Sequence, residues 1–425
     1  MKNVLFIVYY FPPMGGSGVQ RPLKFVKYLR AFGWNPIVLC PEPGAYHTFD
    51  GSLEEELLSL DVDVNRVEAK TPFHRAGQDS KEVNFIPDWM AKPLRWLSTF
   101  FWLPDNKTGW IKPGFRRAMQ LIGDHKIEAV FATAAPYSNL LMAAMIKKAS
   151  GLPVVMDLRD DWLDSHLITY PTPFHRYRMA AMERNTLESA NVVTVINKDT
   201  KAALEDRVQS LKAIRILNQG FDPDDFSTPK KLHSQQDNPQ CRFLYSGLFY
   251  GQRKPDIFLQ AISEIAENNK RFASSVQLEF QGGLDRESKT LIRELGLEKM
   301  VNDYGYLNHE DAVSNLNNAD ILWLIVGHRH KANQVTVGKM FEYFGSRKPI
   351  LGLVPEGSSA ELLENYGAGF RADPYDSNAV KEAIETLFDL WESKKLPQPH
   401  EDFVKQYDRR VVSEELAQIL DHVAE

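Results

Sequence analysis

Cysteine is nearly missing from this chain: Cys40 and Cys241 are the only two in 425 residues, and they lie far apart. That excludes a disulfide framework and a cysteine-built zinc cluster, and it fits a reducing compartment. A membrane-spanning run is also lacking. The uncharged stretch Ala129 to Ile146 is interrupted by Pro136, Ser138 and Asn139. It reads as a buried strand, a turn and a helix starting near Ser138, not as a span of about 20 apolar residues. The shorter run Val4 to Phe11 passes straight into Pro12-Pro13-Met14-Gly15-Gly16 with no signal-cleavage pattern. A soluble, cytoplasmic protein is expected. Positive charge is not in excess, since 50 Lys and Arg face 56 Asp and Glu for a net charge of −6. There is no general electrostatic ground for nucleic-acid binding. No repeat of about 20–50 residues and no low-complexity tract stands out. No Ser/His/Asp order and no His/Cys cluster at metal-ligand spacing is visible, and His328-Arg329-His330 reads as a polar loop after a strand.

What is present is an ordinary globular balance, 43% hydrophobic and 25% charged, which can bury large cores. At roughly 150 residues per domain, two or three domains are expected. The apolar run Val4 to Tyr10 meets a glycine-rich turn, and a helical pattern follows from about Arg21 to Phe32 with Leu23, Val26 and Leu29 on one face. Gly33 stops it, and Pro36-Ile37-Val38-Leu39 is a second apolar run. This is a βαβ unit, which implies a parallel sheet with helices on its faces. The pattern recurs with strands at Glu128–Phe131, Pro153–Met156 and Val192–Val195. A polar stretch from Asp222 to Gln240 reads as a linker or surface excursion. A second series starts at Cys241–Gly247 and continues with Gln277–Phe280, Ile321–Ile325 and Pro349–Gly352. The tail, Asp408 to Val423, is one more amphipathic helix. The fold class is therefore α/β: two doubly wound Rossmann-like domains facing a central cleft. Function is expected in the loops after the strands.

Several of those loops carry chemistry. Gly15-Gly16-Ser17-Gly18 lies between the first strand and the first helix. Its spacing matches neither the dinucleotide fingerprint nor a Walker A motif, so it is either a tight turn or an anion site at a helix N-terminus. Asp157-Leu158-Arg159-Asp160-Asp161-Trp162 places four charges directly after a buried strand. They form either a salt-bridged loop or a site for a hydroxyl-bearing acceptor. The stretch from Tyr245-Ser246-Gly247 to Arg253-Lys254 combines glycines with two cations. That suits a phosphate, the alternative being a solvated surface pair.

Gly338-Lys339-Met340-Phe341-Glu342-Tyr343 opens another helix. A lysine in the first turn opposes the helix dipole, a conflict that a bound anion would remove. Glu342, one turn on, reaches the same ligand, unless the two form a plain ion pair. The segment Trp89 to Arg117 holds four of the eight tryptophans and six cations (Lys92, Arg95, Lys107, Lys112, Arg116 and Arg117) against one carboxylate, Asp105. It suits an anionic membrane surface or a packed helical hairpin with a wet rim.

Taken in order, these pieces resemble the retaining glycosyltransferases of family 4, of the bacterial cell-surface polysaccharide type, which have the GT-B fold. The resemblance covers nearly the whole chain. It includes Arg21 after the first glycine loop, Leu217-Asn218-Gln219-Gly220-Phe221-Asp222, Arg347-Lys348-Pro349-Ile350-Leu351 and Gly367-Ala368-Gly369. It implies an acceptor-side domain over 1–220, with a helix over 405–425 packing back on it, and a nucleotide-sugar-binding domain over 221–404. Arg253 and Lys339 would hold the donor diphosphate, with Lys254 a second candidate, and Gly15 and Gly16 would approach it from across the cleft. Gly247 and Gly338 belong to the donor loops, and Glu342 would accept hydrogen bonds from the donor ribose. Asp160 falls near the transferred sugar, with Arg159 and Asp161 on the acceptor side. Gln334 stands where the family often has a second glutamate; an amide can bond sugar hydroxyls but brings no charge.

The implied reaction moves a sugar from a nucleotide-diphosphate sugar to a saccharide or lipid-linked acceptor. No metal and no cofactor beyond the donor co-substrate are expected. Two other readings remain: a nucleotide-sugar hydrolase or epimerase of the same fold, and a non-catalytic sugar-nucleotide-binding scaffold.

Overall fold

Val4, Leu5, Phe6, Ile7 and Val8 are all fully buried, so this strand is covered on both faces, as parallel sheets require. The computed structural model describes residues 1–44, 49–69, 88–165, 168–227, 240–249, 253–327 and 338–425. It separates into two compact units, Met1–Gln219 with Arg409–Glu425, and Gly220–Asp408.

The first unit contains seven parallel strands, β1 (Lys2–Ile7), β2 (Trp34–Pro41), β3 (Asp63–Val67), β4 (Ile127–Ala134), β5 (Val154–Leu158), β6 (Val192–Val195) and β7 (Ile214–Ile216). Their order is β3-β2-β1-β4-β5-β6-β7. Alternate residues of β1 feed the cores on the two faces, Leu5 and Ile7 into one and Val4 and Phe6 into the other. Helix α1 (Ser17–Tyr28) begins at the glycine loop, four residues before the apolar periodicity shows it. The tail helix (Arg409–Ala424) packs Val412, Leu416 and Leu420 against the α1 side of the sheet. Lys2 and Asp421 pair at 2.7 Å, so the first and last elements are joined. The helical return thus starts at Arg409. Residues Glu401–Lys405 form a separate short helix belonging to the second unit.

The second unit contains β8 (Cys241–Ser246), β9 (Val276–Gln281), β10 (Val301–Asp303), β11 (Ile321–Ile325), β12 (Ile350–Leu353) and β13 (Gly369–Ala372). Their order is β10-β9-β8-β11-β12-β13, all parallel. In each sheet the strand order reverses once, between β1 and β4 and between β8 and β11. The loops after those four strands open where a doubly wound sheet receives ligands.

Candidate active site

In the first unit the loop after β1 reaches Gly15, which is buried, and Gly16, which is exposed with φ 92°. Gly16 caps α1 without a side chain, in a left-handed backbone region that other residues rarely adopt. Pro22 lies inside α1 and has no N–H to donate to the Gly18 carbonyl. That carbonyl is taken instead by Arg159 Nη1 at 2.7 Å. Arg159 Nε and Nη2 donate to the carbonyls of Ala134 and Ala135, each at 2.8 Å. Arg159 therefore clamps the first turn of α1 to the end of β4 through backbone carbonyls.

Beneath it, Arg21 and Asp157 form a buried pair with bonds of 3.0 and 2.8 Å. Asp157 also accepts from Thr133 Oγ1 at 2.7 Å and Thr194 Oγ1 at 2.8 Å. Burial pushes the Asp157 carboxyl up, but Arg21 and the two hydroxyls more than reverse this and hold it below the ordinary value. Asp161 is likewise committed: it accepts from Arg207 Nη2 at 2.8 Å and Nη1 at 3.1 Å, and Arg207 also holds the buried Glu183. Asp160 differs. It is exposed and accepts no hydrogen bond among the described residues.

In the second unit the loop after β8 and the helix α2 (Lys339–Ser346) meet. Tyr343 joins them: its hydroxyl accepts from Ser246 N at 2.9 Å and donates to the Trp323 carbonyl of β11 at 3.2 Å. Gly247 has φ 122°, and a Cβ there would stand 2.8 Å from Lys339 Nζ. Gly282 backs it, since a Cβ at that position would fall 2.6 Å from the Gly247 carbonyl.

The half-buried Lys339 ammonium lies 3.7 Å from the centre of the Tyr245 ring, and that ring stacks on Phe249 at 4.1 Å. Burial first, and then the charge of Arg253, press Lys339 well below the ordinary lysine pKa, with Glu342 pulling in the other direction. No ion pair or hydrogen bond holds that ammonium among the described residues, and the plain Lys339–Glu342 pair does not form. Glu342 is partly exposed and also accepts no hydrogen bond among them. Gly338 caps α2 from an exposed position. Lys254 faces elsewhere, bonded to Glu287 at 2.5 Å on the surface. Gln334 and His328-Arg329-His330 lie outside the described residues.

Sequence reasoning missed Tyr245 and Tyr343. One lies in a strand, next to its last residue, and the other sits on the buried face of a helix, so both read as core. Adjacency to Gly247 and Glu342 was the available signal. Among the described residues no group of three or more His, Cys, Asp or Glu could hold a metal ion, and no helix is long and apolar enough to cross a membrane.

Residues 15–217 match the family described as a glycosyl transferase 4-like domain. No curated protein matches the sequence. Among solved structures, a sucrose-phosphate synthase from Thermosynechococcus elongatus aligns with a TM-score of 0.60 at 14% identity, over 100% of this chain and 96% of that one. WaaG, a glycosyltransferase involved in lipopolysaccharide biosynthesis, aligns at 0.57 and 14% over 98% and 99%. The lipopolysaccharide outer core galactosyltransferase WaaB aligns at 0.55 and 14%, again over 98% and 99%. Residues 15–217 carry a glycosyl transferase 4-like domain, and the chain has the GT-B fold.

Proposed function

We propose that the second domain holds the diphosphate of a nucleotide sugar on Lys339 and Arg253. The sugar then passes, with retention, to a saccharide or lipid-linked acceptor placed by the first domain at Asp160, in cell-surface polysaccharide synthesis. One observation carries this reading. Lys339, half-buried on the Tyr245 ring and beside a second cation, sits in the first turn of a helix without a carboxylate partner among the described residues. Two cations at a positive helix end repel each other until an anion arrives. A diphosphate removes the conflict, and Glu342 one turn later is placed to accept from ribose hydroxyls.

The chemistry follows from the charges. As the anomeric C–O bond breaks, its electron pair moves to the diphosphate oxygen, where Lys339, Arg253 and backbone N–H groups of the glycine loops stabilise it. The acceptor oxygen bonds to the anomeric carbon on the face the diphosphate leaves, and its proton goes to the departing phosphate. Asp160 orients the sugar or acceptor hydroxyls. Contact with an anionic membrane through Trp89 to Arg117 belongs to the same proposal.

A thermal-shift screen over UDP-, GDP-, ADP- and dTDP-sugars tests it, since ligands that bind the folded state raise its midpoint. A shift with one donor class, followed by acceptor-dependent transfer, is expected. Free sugar or epimer without acceptor would favour a hydrolase or epimerase, and binding without turnover a scaffold.

Two further results are expected. Lys254→Ala should change donor affinity by less than about twofold and leave the melting point unchanged, because its partner Glu287 is an exposed residue. Affinity for a nucleoside diphosphate should be full below the lowered pKa of Lys339 and fall as pH rises through it, because only the ammonium attracts the anion. Titration calorimetry across pH checks this. The Lys339→Arg variant, charged at every pH used, should lose the dependence.

A further inference from the structure

The charge of Lys339 is held in place without being neutralised. Its Nζ lies 3.7 Å from the centre of the Tyr245 ring, well inside the range of about 6 Å over which an aromatic face attracts a cation. The Phe249 ring lies 4.1 Å from the same ring at an interplanar angle of 14°. At these distances the ammonium and Phe249 do not fit on one face, so the tyrosine ring is sandwiched between them. Trp323 of β11 meets the Tyr245 ring at 4.8 Å and itself stacks on Phe258 at 4.0 Å. Tyr245 and Trp323 are both fully buried, and the Tyr245 hydroxyl donates to the Leu248 carbonyl at 3.3 Å. The ring is locked on its edge, on its rear face and at its hydroxyl.

The lysine is fitted to that ring from the other side. A Cβ on Gly247 would stand 2.8 Å from Lys339 Nζ and 3.3 Å from its Cε, so the glycine makes room for the side chain. Among the described residues, the titratable groups around the ammonium are few. Arg253, from the loop after β8, repels it, and Glu342 on its own helix attracts it without a hydrogen bond. The Tyr343 hydroxyl is taken by Ser246 N and the Trp323 carbonyl. The strand Ile321-Leu322-Trp323-Leu324-Ile325 brings no titratable side chain. A carboxylate bonded to Lys339 would cancel its charge. A ring face carries a quadrupole and no net charge, so it attracts the ammonium and leaves it a full cation for an incoming anion.

We infer that Tyr245 is a positioning residue for sugar transfer: its ring holds Lys339 as an uncompensated ammonium at the place of the donor diphosphate. The phenol takes no part in bond making and acts only through the lysine. The diphosphate rests on the proposed donor reading; the hold of the ring on the lysine does not.

The test has two arms on the full-length protein. In the first, inorganic diphosphate is titrated calorimetrically at neutral pH. Tyr245→Leu should bind it about tenfold more weakly than wild type. Tyr245→Phe, which keeps the ring, should stay within about threefold of wild type. On a Lys339→Ala background, Tyr245→Leu should change affinity by less than about twofold. A merely structural ring would cost the same affinity with and without the lysine. In the second arm, lysines isotopically labelled at Cε are followed by NMR without ligand. The Lys339 resonance, identified by its loss in Lys339→Arg, should lie upfield of other lysines because of the ring current, in wild type and in Tyr245→Phe alike. Its titration midpoint should fall by about one pH unit in Tyr245→Leu, the same tenfold expressed as protonation. A Lys339 resonance among the ordinary lysines would overturn the inference even if the leucine variant fails to fold. So would wild-type affinity in Tyr245→Leu, or a loss that persists without Lys339. A shifted resonance in a wild type that binds no diphosphate would instead sink the donor reading and leave the ring's hold on the lysine standing.

Discussion

Lys339→Ala is expected to lower the rate of sugar transfer by about 10²–10³-fold, the usual effect of removing one preorganised charge donor, without lowering the melting point. The two halves of this expectation have one cause. The ammonium is held at 3.7 Å over the Tyr245 ring, near Arg253, with no carboxylate bonded to it among the described residues. In the ligand-free fold that arrangement is unfavourable, and the depressed pKa shows it. A lysine whose folded pKa lies below its unfolded value carries its full penalty below the folded value. The penalty is relieved as pH rises toward the unfolded value. Truncation removes the penalty together with the function. A structural lysine would behave oppositely, because its loss would leave a partner unsatisfied and cost stability. Paired rate and melting measurements on the variant therefore separate the two roles. A melting point several degrees lower, with transfer retained, would contradict the assignment.

Asp157→Ala is expected to destabilise the first domain by about 3–5 kcal/mol, because it leaves the Arg21 guanidinium buried without its counter-charge. For a domain of this size that corresponds to a drop in melting point of roughly 10 °C. The carboxylate accepts from Arg21, Thr133 and Thr194, which ties α1, β4 and β6 to the end of β5. Arg21 also donates to the carbonyls of Leu217 and Asn218 at 2.9 and 2.5 Å. The pH dependence has a definite sign. A carboxyl whose folded pKa is depressed contributes stability that is present above its unfolded value near 3.8 and lost as pH falls through the lower folded value. The acid limb of the stability profile should therefore weaken in the variant. Calorimetric melting across pH checks both parts, and a midpoint within about 2 °C of wild type would show that the centre does not hold the domain.

How much of this was legible in the sequence depended on burial. The central strands β1, β4, β8 and β11 are covered on both sides and announce themselves by the apolar runs Val4–Ile7, Ala129–Ala132, Phe243–Tyr245 and Ile321–Ile325. The edge strands β3 and β10 read Asp63-Val64-Asn65-Arg66-Val67 and Val301-Asn302-Asp303. They are half-exposed, so they show neither a continuous run nor a clean alternation, and their pairing comes from the neighbouring strand. The first turn of α1 was hidden because Gly-Ser-Gly is weak helical sequence; the sheet edge places it.

The charged residues were harder to sort. Lys254 and Lys339 both follow glycines in the sequence, and only the fold shows one paired with Glu287 and the other resting on Tyr245. Asp160 and Asp161 are adjacent in sequence. Asp161 reaches Arg207, 46 residues on, a pairing no local pattern reveals. Arg159 had a trace in the sequence after all: Pro22 leaves the Gly18 carbonyl without its helical donor, and the arginine supplies one.

The most direct test of the central claim, that Lys339 and Arg253 form the donor diphosphate site, is titration calorimetry of the nucleoside diphosphate whose sugar stabilises the protein best. It compares wild type with Lys339→Ala at neutral pH. The account predicts saturable binding to wild type and an affinity at least about tenfold weaker in the variant, the loss of a hydrogen-bonded charge. Equal affinity in the two proteins would contradict it.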